Sequence, residues 1–280
     1  MRTFESLGEL YKYSTRKFPS RIAMEELDGG QSYTYEEFGD RCRELSKLIA
    51  NFGVKPYDKI AIFSQNMPNW TVAFFTTVAF GRVAVPMLSG LTENEVTNIL
   101  THSATKVLFV SKRLLNKVTP EMQERMNLII CTDDLSIIRQ RDECYTCDGQ
   151  ILYPQPDDLA ALIYTSGTTG SAKGVMLSHR NLCHNILSSW YSHHIYKKDV
   201  FLSILPMAHT YEMSIGMLYP FARGAKVVYI QKPPTPAVLL PAFRKVRPTT
   251  ILTVPLIIEK IYRSSVLPTI RRSRTLTWLN

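Results

Sequence analysis

Apolar and polar positions alternate along this chain in two periods, one helical and one extended. From Glu36 to Phe52 the apolar residues Phe38, Leu45, Leu48, Ile49 and Phe52 form a helical stripe, and Gly53 stands where a helix C-terminal cap is expected. Lys59 to Phe63 reads as a short buried strand. Pro68 opens a helix through Phe80, with Asn66 expected as its N-cap. Val83-Ala84-Val85 is a strand, and Thr92 with Glu95 three residues on is a capping box for a helix through His102. Lys106–Val110 and Leu128–Ile130 are further strands. Before all of these, the first 35 or so residues read as a helix and a hairpin, with Asp28-Gly29-Gly30 at its turn.

The rhythm breaks over 133–157, a polar stretch with Cys144, Cys147, Pro154 and Pro156, read as a loop or short antiparallel excursion. It resumes with a strand at 159–164, a glycine-rich turn and a helix from Ser178. Strands at 200–204, 225–230 and 250–253 then alternate with helices at 211–221, 236–246 and 255–265. This βαβ order predicts an α/β fold with mostly parallel sheets flanked by helices. The expected division is a first α/β subdomain over 1–157 and a second, carrying the glycine-rich turn, over 158–280.

Composition narrows the classes. With 280 residues, 45% hydrophobic and 20% charged, the chain is neither disordered nor a disulfide-stapled scaffold. Its longest apolar-leaning run, Trp70 to Gly81, is too short to span a bilayer. The first residues lack a secretory pattern, and five irregularly spaced cysteines suit a reducing compartment. A cytoplasmic protein is expected. The net charge of +9 is uneven: 241–280 hold eight basic residues and one acid, a net of +7, which leaves +2 for the rest. That basic stretch suits an anionic substrate, a chain separated from an acidic complement, or peripheral contact with a membrane surface. No basic stripe with interleaved aromatics points to nucleic acid. Cys144 and Cys147 have no second pair to complete a zinc site.

The candidate chemistry lies after the apolar run Leu159–Tyr164. Thr165-Ser166-Gly167-Thr168-Thr169-Gly170-Ser171-Ala172-Lys173-Gly174 combines three glycines, five hydroxyls and one lysine. Glycines allow close backbone approach, successive amides form an anion-binding nest, and the lysine adds a compact positive charge. The composition implies a loop that holds a polyphosphate. It is not a Walker A loop, because Lys173 is followed by glycine and a strand, and no G-x-G-x-x-G occurs.

The string Tyr-Thr-Ser-Gly-Thr-Thr-Gly-Ser-Ala-Lys-Gly-Val-Met-Leu-Ser-His at 164–179 resembles the signature of the adenylate-forming enzymes, the superfamily of acyl-CoA synthetases, luciferase-type enzymes and peptide-synthetase adenylation domains. Leu205-Pro206-Met207-Ala208-His209-Thr210-Tyr211-Glu212 and Thr253 to Tyr262 are similar to strings of its long-chain fatty acid–CoA ligases, with Leu256 where arginine is common. The resemblance implies that a fatty carboxylate attacks the α-phosphorus of ATP, and that coenzyme A then takes the acyl group from the adenylate as a thioester. It implies that Thr165, Ser166, Gly167, Thr168, Thr169, Gly170 and Lys173 hold the β- and γ-phosphates, with the Thr165 hydroxyl near Mg²⁺. His209 and Lys173 are then the catalytic candidates, with His209, Tyr211 and Glu212 at the acyl substrate.

The family's Tyr-Gly-x-Thr-Glu string, Thr-Gly-Asp ribose contact and C-terminal lid do not occur here. The chain is therefore expected to correspond to the N-terminal portion of such an enzyme, to lack ligase activity alone, and to self-associate through an exposed apolar face. The alternatives are an adenylate-forming ligase with another acid or an acyl-carrier-protein acceptor, and a nucleotide-binding module that does not catalyse.

Overall fold

The computed structural model describes residues 2–141, 152–165 and 173–272. Ser166, Gly167, Thr168, Thr169 and Gly170 of the expected phosphate loop, the Cys144/Cys147 pair and Arg274 lie outside the described residues. In chain order the elements are α1 (Leu7–Lys17), β1 (Ile22–Glu26), β2 (Ser32–Thr34), α2 (Tyr35–Asn51), β3 (Lys59–Phe63), α3 (Pro68–Val78), β4 (Val83–Met87), α4 (Glu93–Ser103), β5 (Val107–Val110), α5 (Pro120–Arg125), β6 (Leu128–Cys131) and β7 (Ile137–Gln140). They continue with β8 (Leu159–Thr165), β9 (Lys173–Ser178), α6 (His179–Ser192), β10 (Val200–Ser203), α7 (Tyr219–Arg223), β11 (Lys226–Tyr229), α8 (Pro236–Val246), β12 (Thr250–Ile251), α9 (Pro255–Ile261) and α10 (Leu267–Arg272). None of these helices is long and apolar enough to cross a membrane.

Two sheets result. One has the order β7-β6-β5-β3-β4-β8-β9, the other β12-β10-β11-β1-β2. Only β7, β9 and β2 run antiparallel to their neighbours, so the expected mostly parallel α/β architecture is what forms. Each sheet takes strands from both sides of residue 157.

Strand parity explains the layering. Ile60 and Ile62 pack on the same side as Trp70, Phe75 and Leu7, whereas Ala61 and Phe63 meet Val96, Leu100 and Met122 of α4 and α5. Likewise Val227 and Tyr229 face the central helices, and Val228 and Ile230 face Leu239 and Ile257 of α8 and α9. Both faces of the central strands β3, β4, β5 and β6 are buried, which is why they read as continuous apolar runs, whereas the edge strand β7 is exposed throughout. Helices α1, α2, α3, α6 and α7 fill the space between the sheets. Every residue of α3 is buried, as suits a helix with core on all sides.

The local signals act as their chemistry requires, with one exception. Thr92 and Glu95 cap α4 reciprocally, and Thr34 with Glu37 caps α2 in the same way. Gly53 follows α2 at φ 72°. Asn66 is not the cap of α3: Met67 takes that position with no side-chain bond, because the Asn66 amide is engaged elsewhere. The excursion expected within 133–157 appears as β7. The helix expected over 211–221 is a π-helical segment, Glu212–Leu218, followed by α7.

His179 joins the layers at the start of α6. Its Nδ1 accepts the amide hydrogen of Leu7 at 3.2 Å across the core, and its Nε2 has no partner. Burial lowers its pKa to about 4, against a weaker opposing pull from Asp158. The folded protein therefore keeps this ring neutral while the unfolded chain takes up a proton below about pH 6.5. Stability is lost as pH falls from that value towards 4. The parent is expected to lose about 2 kcal/mol between pH 7.5 and pH 5 relative to His179→Asn, whose amide oxygen keeps an acceptor for Leu7. Urea midpoints of both proteins at the two pH values check this; parallel profiles would refute it.

Candidate functional site

The parallel strands of both sheets end on one crevice. Gln65 and Asn66 follow β3, Ser89 and Gly90 follow β4, Arg113 and Lys117 follow β5, and Leu205 and Pro206 follow β10; all line a groove of about 710 Å³. Ligands in open α/β folds bind outside the carboxyl ends of strands, and this groove has that position. Four cations reach it, Arg113, Lys117, Lys232 and Lys260. Lys117 Nζ donates to the carbonyl oxygens of Ser89 and Leu91 at 3.2 and 2.8 Å, which fixes the turn after β4.

Asn66 is the hinge-pin of this region. Its Nδ2 donates to Ser203 Oγ at 3.1 Å and to the Leu205 carbonyl at 2.7 Å, and its Oδ1 accepts the Met207 amide at 3.0 Å. One side chain thus ties the end of β3 in one sheet to the segment after β10 in the other. The His209 amide then donates to Pro206 O, closing a turn, and the Met213 amide donates to His209 O, which starts the following helix. His209 is exposed at that turn. This role of Asn66 was not legible from spacing, since its partners lie 137 to 141 residues away.

Behind the turn lies a second cavity of about 860 Å³, with Phe201, Ile215, Tyr219 and Leu252 among its apolar walls and Thr210 and Tyr211 at the His209 end. Tyr211 is half exposed beside it. The Leu205–Tyr211 segment is therefore a partition. Leu205 and Pro206 face the cationic groove, and Thr210 and Tyr211 face the apolar cavity.

Glu212 does not join His209 and Tyr211 at the surface. It is only 1% exposed, and its carboxyl group bonds Ser203. Its Oε2 has no partner. Gly216 makes this possible: a Cβ there would stand 2.6 to 2.9 Å from the carboxyl atoms. Burial pushes the Glu212 pKa up to about 8, so the acid is mostly protonated at pH 7. The π-helical turn that it opens shifts the face on which each side chain emerges, a feature common at functional sites.

Thr165 and Lys173 form the last register pair of the β8–β9 hairpin and are both exposed. Thr165 ends a strand parallel to β4, so it lies at the same strand ends as the cationic groove. Two pairs earlier in register, Ile163 meets Val175, and between them Tyr164 meets Gly174. The Tyr164 hydroxyl is 2.6 Å from His102 Nδ1 on α4, a tether that a lone histidine gave no reason to expect. Thr165 and Lys173 thus belong to the seven-stranded sheet, and His209 follows a strand of the five-stranded one.

A magnesium site is not built by the described residues. No group of three His, Cys, Asp or Glu is placed to hold a metal ion, and Thr165 offers one neutral hydroxyl. Mg²⁺ takes at least one or two carboxylates besides phosphates and water.

The chain is similar to known proteins over most of its length. The model of a family described as AMP-binding enzyme matches residues 11–277. Long chain acyl-CoA synthetase 6, peroxisomal, of Arabidopsis thaliana is 27% identical over 271 residues, covering 90% of this chain and 38% of that protein. The 4-coumarate–CoA ligase 2 of Nicotiana tabacum is 30% identical over 240 residues, covering 82% of this chain and 42% of that protein. O-succinylbenzoate coenzyme A synthetase from Bacillus subtilis, solved in complex with AMP, superposes with a TM-score of 0.76 at 23% identity over 91% of this chain and 64% of that one. That likeness shows the fold. The chain thus spans less than half the length of the curated relatives it matches.

Proposed function

The chain belongs to the AMP-binding enzyme family, and from that premise we propose that it carries the carboxylate-activating site of a long-chain fatty acid–CoA ligase. The observation that carries the reading is the partition. One pinned segment, Leu205–Tyr211, separates an apolar cavity from a cationic groove at the strand ends. An enzyme that joins an acyl group to a phosphorylated partner needs such a wall between two chemistries.

In this reading the fatty chain occupies the apolar cavity and brings its carboxylate to the His209 end. A carboxylate oxygen attacks the α-phosphorus of ATP, and pyrophosphate leaves with the electron pair of the broken P–O bond. Lys173 offset the charge on the departing phosphates, and Thr165 donates a hydrogen bond to them. The His209 imidazole, held by the Pro206 turn, donates to the charge that develops at the α-phosphate. The thiolate of coenzyme A then attacks the acyl carbonyl and expels AMP. The four cations of the groove suit the phosphates of that acceptor. Proximity supplies much of the acceleration, because all reactants meet at one wall.

The relative at 30% identity, a 4-coumarate–CoA ligase, favours a second reading in which a compact aromatic acid fills the cavity. Lys173→Ala is expected to weaken ATP binding to this chain about tenfold, as loss of one charge-assisted contact would. Calorimetric titration measures it, and unchanged affinity would remove Lys173 from the phosphate site. Pyrophosphate release by a longer protein that contains this chain should be stimulated by palmitate, whereas the chain alone is expected to release none. Stimulation by 4-coumarate and not by palmitate would select the second reading.

A further inference from the structure

We propose that His102 is a positioning residue for the phosphate end of the β8–β9 hairpin, acting through the Tyr164 hydroxyl to hold Thr165 and Lys173 in place before a polyphosphate arrives. This role rests on the reading of Thr165 and Lys173 as phosphate ligands. β9 is the edge strand of the seven-stranded sheet, so the hairpin has a neighbouring strand on one side only. Among the described residues its ladder to that neighbour, β4, registers a single pair, Ala84 with Ala161. Thr165 and Lys173 pair with each other at the far end of the hairpin, and both are exposed. Segments with so little buried contact open most readily. Side chains that must meet phosphate oxygens at hydrogen-bond distance need a further constraint on their backbone.

Tyr164 supplies that constraint. Strand parity places Leu162 and Tyr164 on one face, and both pack on the cluster that holds Val96, Ile99 and Leu100 of α4. Gly174 stands opposite Tyr164 in the hairpin. A Cβ at Gly174 would lie 2.8 Å from Leu162 Cδ1 and 3.6 Å from Tyr164 Cζ, so its absence lets both side chains lie across β9. The phenol oxygen is then 2.6 Å from His102 Nδ1, and the two rings meet edge-on at 5.6 Å. The helix that carries His102 is a firm post. Thr92 and Glu95 cap its start, and Val96, Ile99, Leu100 and Ser103 are buried along it. His102 itself is exposed. A hydrogen bond whose partners both reach water adds little to global stability. Its effect here is to order the residue just before Thr165, which lowers the entropy lost when a phosphate binds.

Calorimetric titration of ATP into the chain and its variants tests this role. His102→Ala and Tyr164→Phe are each expected to weaken ATP binding about fivefold, the worth of one hydrogen bond. The double variant is expected to bind no more weakly than either single one, because both changes remove the same tether. His102→Asn, whose Oδ1 can stand where Nδ1 does, is expected to restore most of the affinity. Urea midpoints should stay close to the parent's, as for other exposed substitutions; a purely structural role would lower them. Unchanged ATP affinity in His102→Ala, beside a loss in Lys173→Ala, would overturn the proposal and leave the phosphate reading intact. A roughly 25-fold loss in the double variant would also overturn it, since the two groups would then act independently. So would a lowered urea midpoint with no recovery in His102→Asn. A parent chain that binds no ATP would remove the phosphate reading itself, and this role with it.

Discussion

Replacing Glu212 with glutamine is expected to raise stability relative to the parent by an amount that grows by about 3 to 4 kcal/mol from pH 5 to pH 8. In the fold this carboxyl group is buried against Gly216, bonded to Ser203 and left with one oxygen unpaired. Desolvation raises its pKa from 4.5 to about 8. The unfolded chain gives up the proton above about pH 4.5, while the folded protein keeps it to about pH 8. The folded state thus binds more protons across that window, and its stability falls as pH rises through it. Glutamine is neutral at every pH and nearly the same shape, so it removes this dependence. Tyr229 and Ser203 are the polar neighbours that interact with the carboxyl group, and neither titrates between pH 5 and 8. Taking the variant against the parent also cancels the opposite contribution of His179. Urea unfolding at pH 5, 6, 7 and 8 gives the difference directly; a flat difference would mean that Glu212 is solvated or ionised in the native protein.

Phe75→Ala is expected to destabilise the protein by about 3 to 5 kcal/mol. Phe75 is fully buried at the centre of the helical layer. Its ring lies 6.2 Å from Tyr11 of α1, 5.4 Å from Phe38 of α2, 5.9 Å from Phe74 and 4.6 Å from Phe221 of α7. Truncation removes the apolar burial and also edge-to-face contacts with Phe38 and Phe74. These four rings, three on other helices and Phe74 on α3 itself, cannot all move into the space, so a cavity remains. Against the 5 to 15 kcal/mol that roughly bounds a domain's stability, the loss is large. Tyr191→Ala, at an exposed site, should cost less than about 0.5 kcal/mol. Equal denaturation midpoints for Phe75→Ala and Tyr191→Ala would contradict the packing of the central layer.

The fold was legible wherever the signal was local. Thr92 and Glu95 declare the start of α4 from four residues of sequence, and Thr34 with Glu37 carries the same signal for α2. Asn66 shows the limit. A cap is a sensible reading of an asparagine before proline, but this amide finds three better partners after β10. His209 and Glu212 show another. Residues three apart share a face of an α-helix, and both were expected at the substrate. The turn at Pro206 and the π-helical segment change the phase, leaving one exposed and the other in the core.

The sequence by itself determined the α/β class, the apolar strand runs, and the glycine- and hydroxyl-rich stretch joined to Lys173, because each depends on residues within one or two turns of chain. The tertiary structure decided the order of strands, with Met24 beside Val227, and the meeting of strand ends at one groove. It also decided the burial of Glu212 and the tie that Asn66 makes between the two sheets. Those outcomes depend on contacts between distant segments. Packing selects them only when helices fill the space between two sheets, and no spacing along the chain records that choice.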